Sequence, residues 1–137
     1  MAHICNDQGS WGKGFVLGLS KRWKQPETEY KKLPAPLSLG SVQFVKVEND
    51  LEVANMVAQG PPTEETPISC SGLQKVLKVV ADRALATKAV VHMPRIGVGL
   101  ARGKWNIVSH IIWSELCLRG VEVCVYSRKE APKAEKD

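Results

Sequence analysis

The fold is decided by one glycine-rich stretch, Met93-Pro94-Arg95-Ile96-Gly97-Val98-Gly99-Leu100-Ala101-Arg102-Gly103-Lys104-Trp105. The apolar run Ala89–Met93 leads into it and predicts a strand, which Pro94 should end because proline cannot donate to a sheet ladder. Helical spacing of apolar residues follows from Trp105 to Leu118. A strand, a glycine loop and a helix start in that order are typical of anion sites, since backbone N–H groups and the helix dipole favour negative charge. A plain connecting loop remains the alternative.

The same order of elements opens the chain. Met1–Cys5 predicts a strand, and Asn6–Gly14 is a polar segment that contains three glycines. Apolar residues recur at helical spacing from Phe15 to Trp23. Pro26 should end or break that helix, with one more turn at Glu27–Lys32. The repeated order makes an anion site the favoured interpretation, because two such loops can converge on one crevice.

The middle of the chain predicts a β-hairpin and then a long helix. Apolar and polar residues alternate over Ser41–Val47, a turn signal follows at Asn49–Asp50, and Leu51–Val57 gives the second strand. The proline-containing segment Gln59–Pro67 predicts a loop. Ser69 or Ser71 can cap the helix that follows. Its expected apolar stripe consists of Leu73, Val76, Leu77, Val80, Ala84 and Leu85.

The C-terminal third predicts the fold class. The helix after Trp105 should end near Gly120, a suitable C-cap, and Val121–Tyr126 reads as the last strand. Strand, helix and strand over Ala89–Tyr126 indicate a right-handed crossover between parallel strands, and hence a layered α/β sheet with helices on its faces. Ligands of such sheets bind beyond the carboxyl ends of the strands, where both glycine loops begin. We expect one domain over residues 1–126 and a charged, disordered tail over 127–137.

Composition narrows the class of protein. The chain has 137 residues, 44% of them hydrophobic and 24% charged, and a net charge of +5 that suits an anionic partner. No apolar run approaches a membrane span and no signal pattern opens the chain, so we expect an intracellular protein of the nucleus or cytoplasm without membrane contact. The cysteines have no zinc spacing, and we interpret most of them as reduced core residues: Cys5, Cys70, Cys117 and Cys124.

Familiar catalytic and cofactor motifs are missing from the sequence. There is no GxSxG elbow, no P-loop and no GxGxxG with its following acid, which disfavours ordinary ATP or NAD chemistry. His92 and His110 fit structural roles, whereas His3 could reach the crevice. We therefore expect no cofactor, no metal and no obvious catalytic group. Scattered lysines without interleaved aromatic residues make direct nucleic-acid binding a weak third hypothesis.

A diphosphate is the natural ligand for two facing glycine loops. Apolar side chains beside them could wall a ribose or base: Trp11, Phe15, Ile96, Val98 and Leu100. For Phe15 and Ile96, core packing is an equal alternative. Tyr126, at the tip of the last strand, could stack on a base, or simply end an amphipathic strand.

Three segments resemble macro domains, which bind ADP-ribose. Ala2–Gly14 looks like their first ligand loop, Val53–Gln59 like their central strand, and His92–Leu100 like their second phosphate loop. The resemblance is to the branch of terminal ADP-ribose protein glycohydrolases, which includes the macro domain of a poly(ADP-ribose)-activated chromatin remodeller. It implies a three-layer α/β/α fold with a mixed sheet, and a ligand that is free ADP-ribose or ADP-ribosylated protein.

The resemblance also assigns roles to residues. Asn6 would meet the distal ribose, Ser10–Phe15 and Ile96–Leu100 would form the two diphosphate walls, and Tyr126 would lie beside the adenine. A Gly97→Glu side chain would then enter the phosphate space. The whole predicted site comprises His3, Asn6, Ser10, Trp11, Gly12, Lys13, Gly14, Phe15, Arg95, Ile96, Gly97, Val98, Gly99, Leu100, Ala101 and Tyr126.

Two departures from that family bear on the chemistry. Members that remove ADP-ribose from glutamate use a lysine and an aspartate where this chain has Gln59 and Ala101. Neither replacement supports a covalent adduct or acid–base catalysis, so we expect recognition. The alternative is an ADP-ribosyl ester hydrolase, or an enzyme that processes another ADP-ribose derivative, without the usual lysine and aspartate. The family's first strand, which ends in Gly-Asp, has no counterpart here. Its absence would affect adenine selectivity and would leave a sheet edge open to self-association.

Overall fold

The computed structural model describes residues 1–12, 14–61, 68–97 and 104–127. The strands in these ranges are β1 (Ala2–Asn6), β2 (Val42–Glu48), β3 (Leu51–Gln59), β4 (Val91–Pro94) and β5 (Val123–Tyr126). The helices are α1 (Phe15–Arg22), α2 (Gln25–Lys31), α3 (Cys70–Thr87) and α4 (Trp105–Glu115), with a 3₁₀ turn at Cys117–Arg119.

The strands form a mixed α/β arrangement, as the sequence predicts. β3 lies between β1, to which it is parallel, and β2, to which it is antiparallel. The β2–β3 pair is the predicted hairpin, closed at Asn49–Asp50. β4 and β5 form a separate two-stranded sheet, in which they pair in parallel as predicted, with α4 between them in the chain, and β4 packs beside β1.

Helices cover both faces of the three-stranded sheet that contains β3. β3 alternates between the two, so that Ala54 and Met56 face a hydrophobic core with α3 and α4, whereas Val53 and Val57 face a second core with α1 and α2. We call these the α3/α4 core and the α1/α2 core. The second one also contains Tyr30, which is fully buried. Burial on both faces explains why β3 is almost continuously apolar, and the layers are those of the predicted three-layer fold.

Helix ends follow local sequence rules. Ser69 is the N-cap of α3, and its hydroxyl accepts a hydrogen bond from the Gly72 N–H at 3.0 Å. The α-helix that was expected to end near Gly120 ends earlier, at Glu115. Gly120 is instead the C-cap of the 3₁₀ turn that follows, with φ of +88°. The predicted stripe of α3 is buried except at Leu85, which is 43% exposed. That residue lies on the solvent side because the contact surface of α3 ends with Ala84.

Of the two prolines that were expected to stop an element, Pro94 does so and Pro26 does not. α1 already ends at Arg22, and Pro26 lies in the first turn of α2, where its missing N–H is not needed. Pro94 is the last residue of β4 and stands opposite Tyr126. A proline at the end of a strand leaves the preceding ladder intact, so the strand includes it.

The interpretation of most cysteines as core residues is wrong. Cys5 is buried, but Cys70 and Cys117 are exposed and Cys124 is half-buried, because the latter three lie at a helix start, a 3₁₀ turn and an edge of the sheet. Within the described ranges, no group of three or more metal-binding side chains is assembled. None of the helices described is long and apolar enough to cross a membrane. The predicted tail lies outside the described residues from position 128 onwards.

Candidate functional site

The first glycine loop is built on Asn6, the last residue of β1. Its side-chain oxygen accepts from the backbone N–H groups of Gln8 (2.9 Å) and Ser10 (3.2 Å), and its amide donates to the Ser10 carbonyl at 2.7 Å. Tyr30 donates its hydroxyl to the Asn6 carbonyl at 2.5 Å. Asn6 is therefore a brace for the loop. Its predicted contact with a distal ribose stays a prediction.

Trp11 fixes the middle of the same loop. Its indole packs in the α1/α2 core, and its N–H donates to the Ser20 hydroxyl at 2.7 Å. Ser20 in turn donates to Glu27 at 2.7 Å, and Lys31 donates to the other oxygen of that carboxylate at 2.7 Å. The bonds from Lys31 and Ser20 lower the pKa of Glu27, which stays ionised. We call this series of side-chain hydrogen bonds, Trp11–Ser20–Glu27–Lys31, the Trp11 relay.

Two glycines of the first loop, Gly12 and Gly14, border open space among the described residues. Both have φ near +75°, a region that other residues resist, and no described atom beyond their chain neighbours lies within 4 Å of where a Cβ would stand. Gly14 is the N-cap of α1, whose first turn has no side-chain cap. Uncapped N–H groups at a helix start favour an anion. Phe15, the next residue, is 41% exposed, which fits a wall better than core packing.

The second loop is anchored in the other core. Ile96 is buried in the α3/α4 core, so core packing is the correct interpretation of that side chain. Gly97 has φ of +79°, and an added Cβ would stand 3.0 Å from Ile68 and 3.1 Å from Val108. The expectation that a Gly97→Glu side chain enters phosphate space is therefore wrong, because it would point into the core. Arg95 is exposed, with its guanidinium 4.8 Å above the Trp105 ring.

Both loops are fastened at the end of β3. The N–H of Asp7, in the first loop, donates to the Gln59 carbonyl at 2.9 Å. Gln59 also forms a β-bridge with Ile68. The Ile68 side chain in turn packs against Gly97, so closely that a Cβ on Gly97 would be crowded. Asp7 of the first loop and Gly97, the last described residue before the rest of the second loop, therefore both lie near the end of β3.

His3 does not reach the crevice. It is 2% exposed, and its Nε2 lies 2.5 Å from the Asn55 side-chain oxygen. Because that oxygen only accepts, Nε2 carries the proton and Nδ1 is left without a partner in the described structure. Burial lowers the pKa of His3 to about 4, although the bond to Asn55 opposes the shift. The ring is neutral at pH 7 and supports Trp11 and Phe15, whose rings lie 5.5 and 5.8 Å away.

Tyr126 ends β5 as an exposed aromatic residue. It is 52% exposed, and its hydroxyl lies 2.7 Å from Nδ1 of His92 on β4. The two rings stack with an interplanar angle of 12° and centroids 5.7 Å apart. Tyr126 is thus held in a defined orientation at the carboxyl end of the strands.

Part of the predicted site lies outside the described residues. Those positions are Lys13, Val98, Gly99, Leu100 and Ala101. The structure brings Asn6, Ser10, Gly12 and Gly14 together in the first loop, and Ile96 and Gly97 in the second. Their contacts with a ligand stay predictions.

Sequence reasoning missed the supports of the site. Tyr30, Ser20 and Glu27 hold the first loop from α1 and α2, and no local pattern marks them. Asn55 carried a usable signal, because a polar residue inside the apolar run of β3 needs hydrogen-bond partners. It finds them in His3, Gln43 and the Pro26 carbonyl.

Solved structures match this fold closely, although no family model matches the chain. A Bacteroides thetaiotaomicron protein of unknown function is 49% identical, with a TM-score of 0.87 over 93% of this chain and 85% of that one. A macrodomain protein from Streptomyces coelicolor is 43% identical, with a TM-score of 0.81 over 93% and 86%. Thermosipho africanus DarTG, solved in complex with ADP-ribose, is 15% identical and shares the fold, with a TM-score of 0.73 over 98% of this chain and 40% of that one.

The fold is that of a macrodomain, and the chain belongs to the macrodomain family. Among curated proteins it is similar to chromodomain-helicase-DNA-binding protein 1-like of Danio rerio, at 28% identity over 92% of this chain. That relative fits the remodeller branch indicated by the sequence. The chain spans only 14% of its length.

Proposed function

We propose that this macrodomain is a recognition module for ADP-ribose, free or attached to protein, and that its two glycine loops hold the diphosphate. The observation that carries the proposal is the fastening of both loops to the end of β3, through Asp7, Gln59, Ile68 and Gly97. A linear diphosphate has anionic oxygens on both sides, so it suits two loops that flank one point of the sheet.

Chemistry at the first loop favours the same ligand. Gly12 and Gly14 have positive φ and border open space among the described residues, and Gly14 supplies no side-chain cap to the start of α1. Each hydrogen bond to a charged oxygen contributes about 1.5–3 kcal/mol. Four of them would supply much of the roughly 8 kcal/mol of a micromolar complex, before the costs of ordering are counted. The ADP-ribose complex of a protein with the same fold supports the assignment.

A matched pair of variants tests the placement of the diphosphate. Asn and Asp have nearly the same shape and tolerate positive φ better than other side chains, so Gly12→Asn and Gly12→Asp should strain the loop equally. Only Gly12→Asp adds a negative charge. By isothermal titration calorimetry we expect the Asp variant to bind ADP-ribose at least about tenfold more weakly than the Asn variant, a difference of roughly 1.4 kcal/mol. Thermal denaturation checks that both are folded.

Two results would overturn the proposal. One is the absence of heat when concentrated unchanged protein is titrated with ADP-ribose while AMP and ADP are equally inert. The other is equal affinity of the two Gly12 variants, which would remove the diphosphate from the first loop.

We infer recognition in preference to hydrolysis because Gln59, at the end of β3 beside Asp7, stands by resemblance where the hydrolases carry lysine. A carboxamide cannot form the covalent adduct that a lysine forms, nor act as a general base at neutral pH. We therefore expect no release of ADP-ribose from glutamate-ADP-ribosylated protein above the rate without enzyme. Turnover that is lost in Asp7→Ala would establish the hydrolase alternative instead.

A further inference from the structure

We infer that His92 is a positioning residue that orients Tyr126 for stacking on the base of the ligand; this inference rests on the proposed function. His92 was expected to be a structural imidazole inside a strand. Instead its Nδ1 lies 2.7 Å from the Tyr126 hydroxyl, and its ring stacks on the Tyr126 ring at 12°. The contact joins residues 34 positions apart in the sequence.

Strand geometry explains the pairing. His92 stands opposite Cys124, and Pro94 stands opposite Tyr126, so the two rings are diagonal neighbours on adjacent parallel strands. Alternation along β4 sends Val91 and Met93 into the α3/α4 core and puts His92 on the other face. His92 is half-buried there, whereas Tyr126 is exposed. The more buried ring therefore supports the more exposed one.

Two separate restraints act on Tyr126. The hydrogen bond fixes its hydroxyl, and the nearly parallel imidazole beside it restricts rotation of its ring. The exposed face of the Tyr126 ring is then available to a planar base in a fixed plane. An unrestrained tyrosine at the end of a strand would lose rotamer freedom on binding, and preorganisation removes that cost.

The experiment compares His92→Ala and His92→Phe with the unchanged protein. His92→Phe keeps a ring to stack on but loses Nδ1. We expect His92→Ala to weaken ADP-ribose binding roughly three- to tenfold, and His92→Phe to lie between it and the unchanged protein. In NMR spectra, the upfield ring-current shift of the bound adenine protons should shrink in the same order. A merely structural role would not change that shift.

A double-variant cycle identifies Tyr126 as the group that His92 acts through. In the Tyr126→Ala background, His92→Ala should cost nothing further, because no ring is left to orient. His110→Ala is the matched control: this exposed histidine packs on Trp113 of α4, away from the pair, and its loss should change neither affinity nor shift. Melting temperatures establish that each variant is folded.

The outcomes separate the two levels of inference. If the unchanged protein binds ADP-ribose and His92→Ala binds it equally well with the same adenine shifts, the positioning role is overturned while the proposed function stands. Additive effects of His92→Ala and Tyr126→Ala would also overturn it. If the unchanged protein does not bind ADP-ribose at all, both inferences fail.

Discussion

The indole N–H of Trp11 donates to the Ser20 hydroxyl at 2.7 Å, and this bond joins the first glycine loop to α1. Ser20 passes the connection to Glu27 on α2, so a loop without regular structure is held by two helices. The loop glycines alone would leave many conformations open. The bond therefore determines much of the order on which an anion site depends.

Loss of the Ser20 hydroxyl should destabilise the protein. Ser20→Ala leaves a largely buried indole N–H without its acceptor, so we expect the free energy of unfolding in urea to fall by about 1–3 kcal/mol. Ser109→Ala is the control, because that hydroxyl bonds to the Asn106 carbonyl within its own helix, and its loss should cost less than about 0.5 kcal/mol. Equal effects of the two changes would contradict the Trp11 relay.

The two tyrosines should respond differently to loss of the hydroxyl. Tyr30 is fully buried and donates to the Asn6 carbonyl, whereas Tyr126 is exposed. We expect Tyr30→Phe to lower the free energy of unfolding by about 1–3 kcal/mol, and Tyr126→Phe to change it by less than about 0.5 kcal/mol. Urea titrations followed by circular dichroism measure both. A stable Tyr30→Phe protein would show that Asn6 does not need this partner.

Alanine should have opposite effects at two glycines. Gly97 has positive φ and no room for a Cβ, so Gly97→Ala should destabilise by about 1–3 kcal/mol. Gly18 lies within α1 with open space around it, and Gly18→Ala should stabilise by about 0.5–1 kcal/mol, since alanine favours a helix. Differential scanning calorimetry measures the change in stability, and hence its sign, for both variants. Stabilisation by Gly97→Ala would mean that the second loop has another conformation.

Stability should fall on acidification before the carboxylates titrate. Unfolded His3 takes up a proton near pH 6.5, whereas burial holds the folded pKa at about 4. Between these values the unfolded state binds more protons, so the free energy of unfolding falls as the pH falls, by about 1.4 kcal/mol per pH unit at its steepest.

A variant isolates this contribution. Urea titrations between pH 5 and 7 should show a shallower pH dependence for His3→Gln than for the unchanged protein. His110→Gln changes an exposed histidine and should keep the original slope. If His3→Gln retains the full slope, His3 is not the group responsible.

Periodic patterns predicted the scaffold well. The stripe of α3, the β2–β3 hairpin and the parallel β4–β5 pair all depend on the alternation of apolar residues, which is local information. Family likeness predicted the macrodomain fold and the two loops. The sequence indicated that the glycines at positions 12, 14 and 97 have special backbone conformations. It did not predict which atoms surround them.

Contacts between distant segments could not be predicted from local sequence patterns. Tyr30 lies in a stretch that reads as one extra helical turn, yet it binds the carbonyl of Asn6. Ile96 belongs to a predicted ligand loop but is buried beneath it, because the loop needs an anchor as well as glycines. His92 meets Tyr126 only once the two strands are paired in register.

The two glycine loops are anchored in different hydrophobic cores. Trp11 seats the first in the α1/α2 core, Ile96 seats the second in the α3/α4 core, and the sheet lies between these cores. The spacing between Trp11 and Ile96 is therefore a property of the middle layer and not of either loop. A protein engineer who grafts one loop onto another scaffold would transfer its glycines and lose this spacing. The core-facing residues of β1 and β3 are the ones to vary when a different spacing of the two loops is wanted.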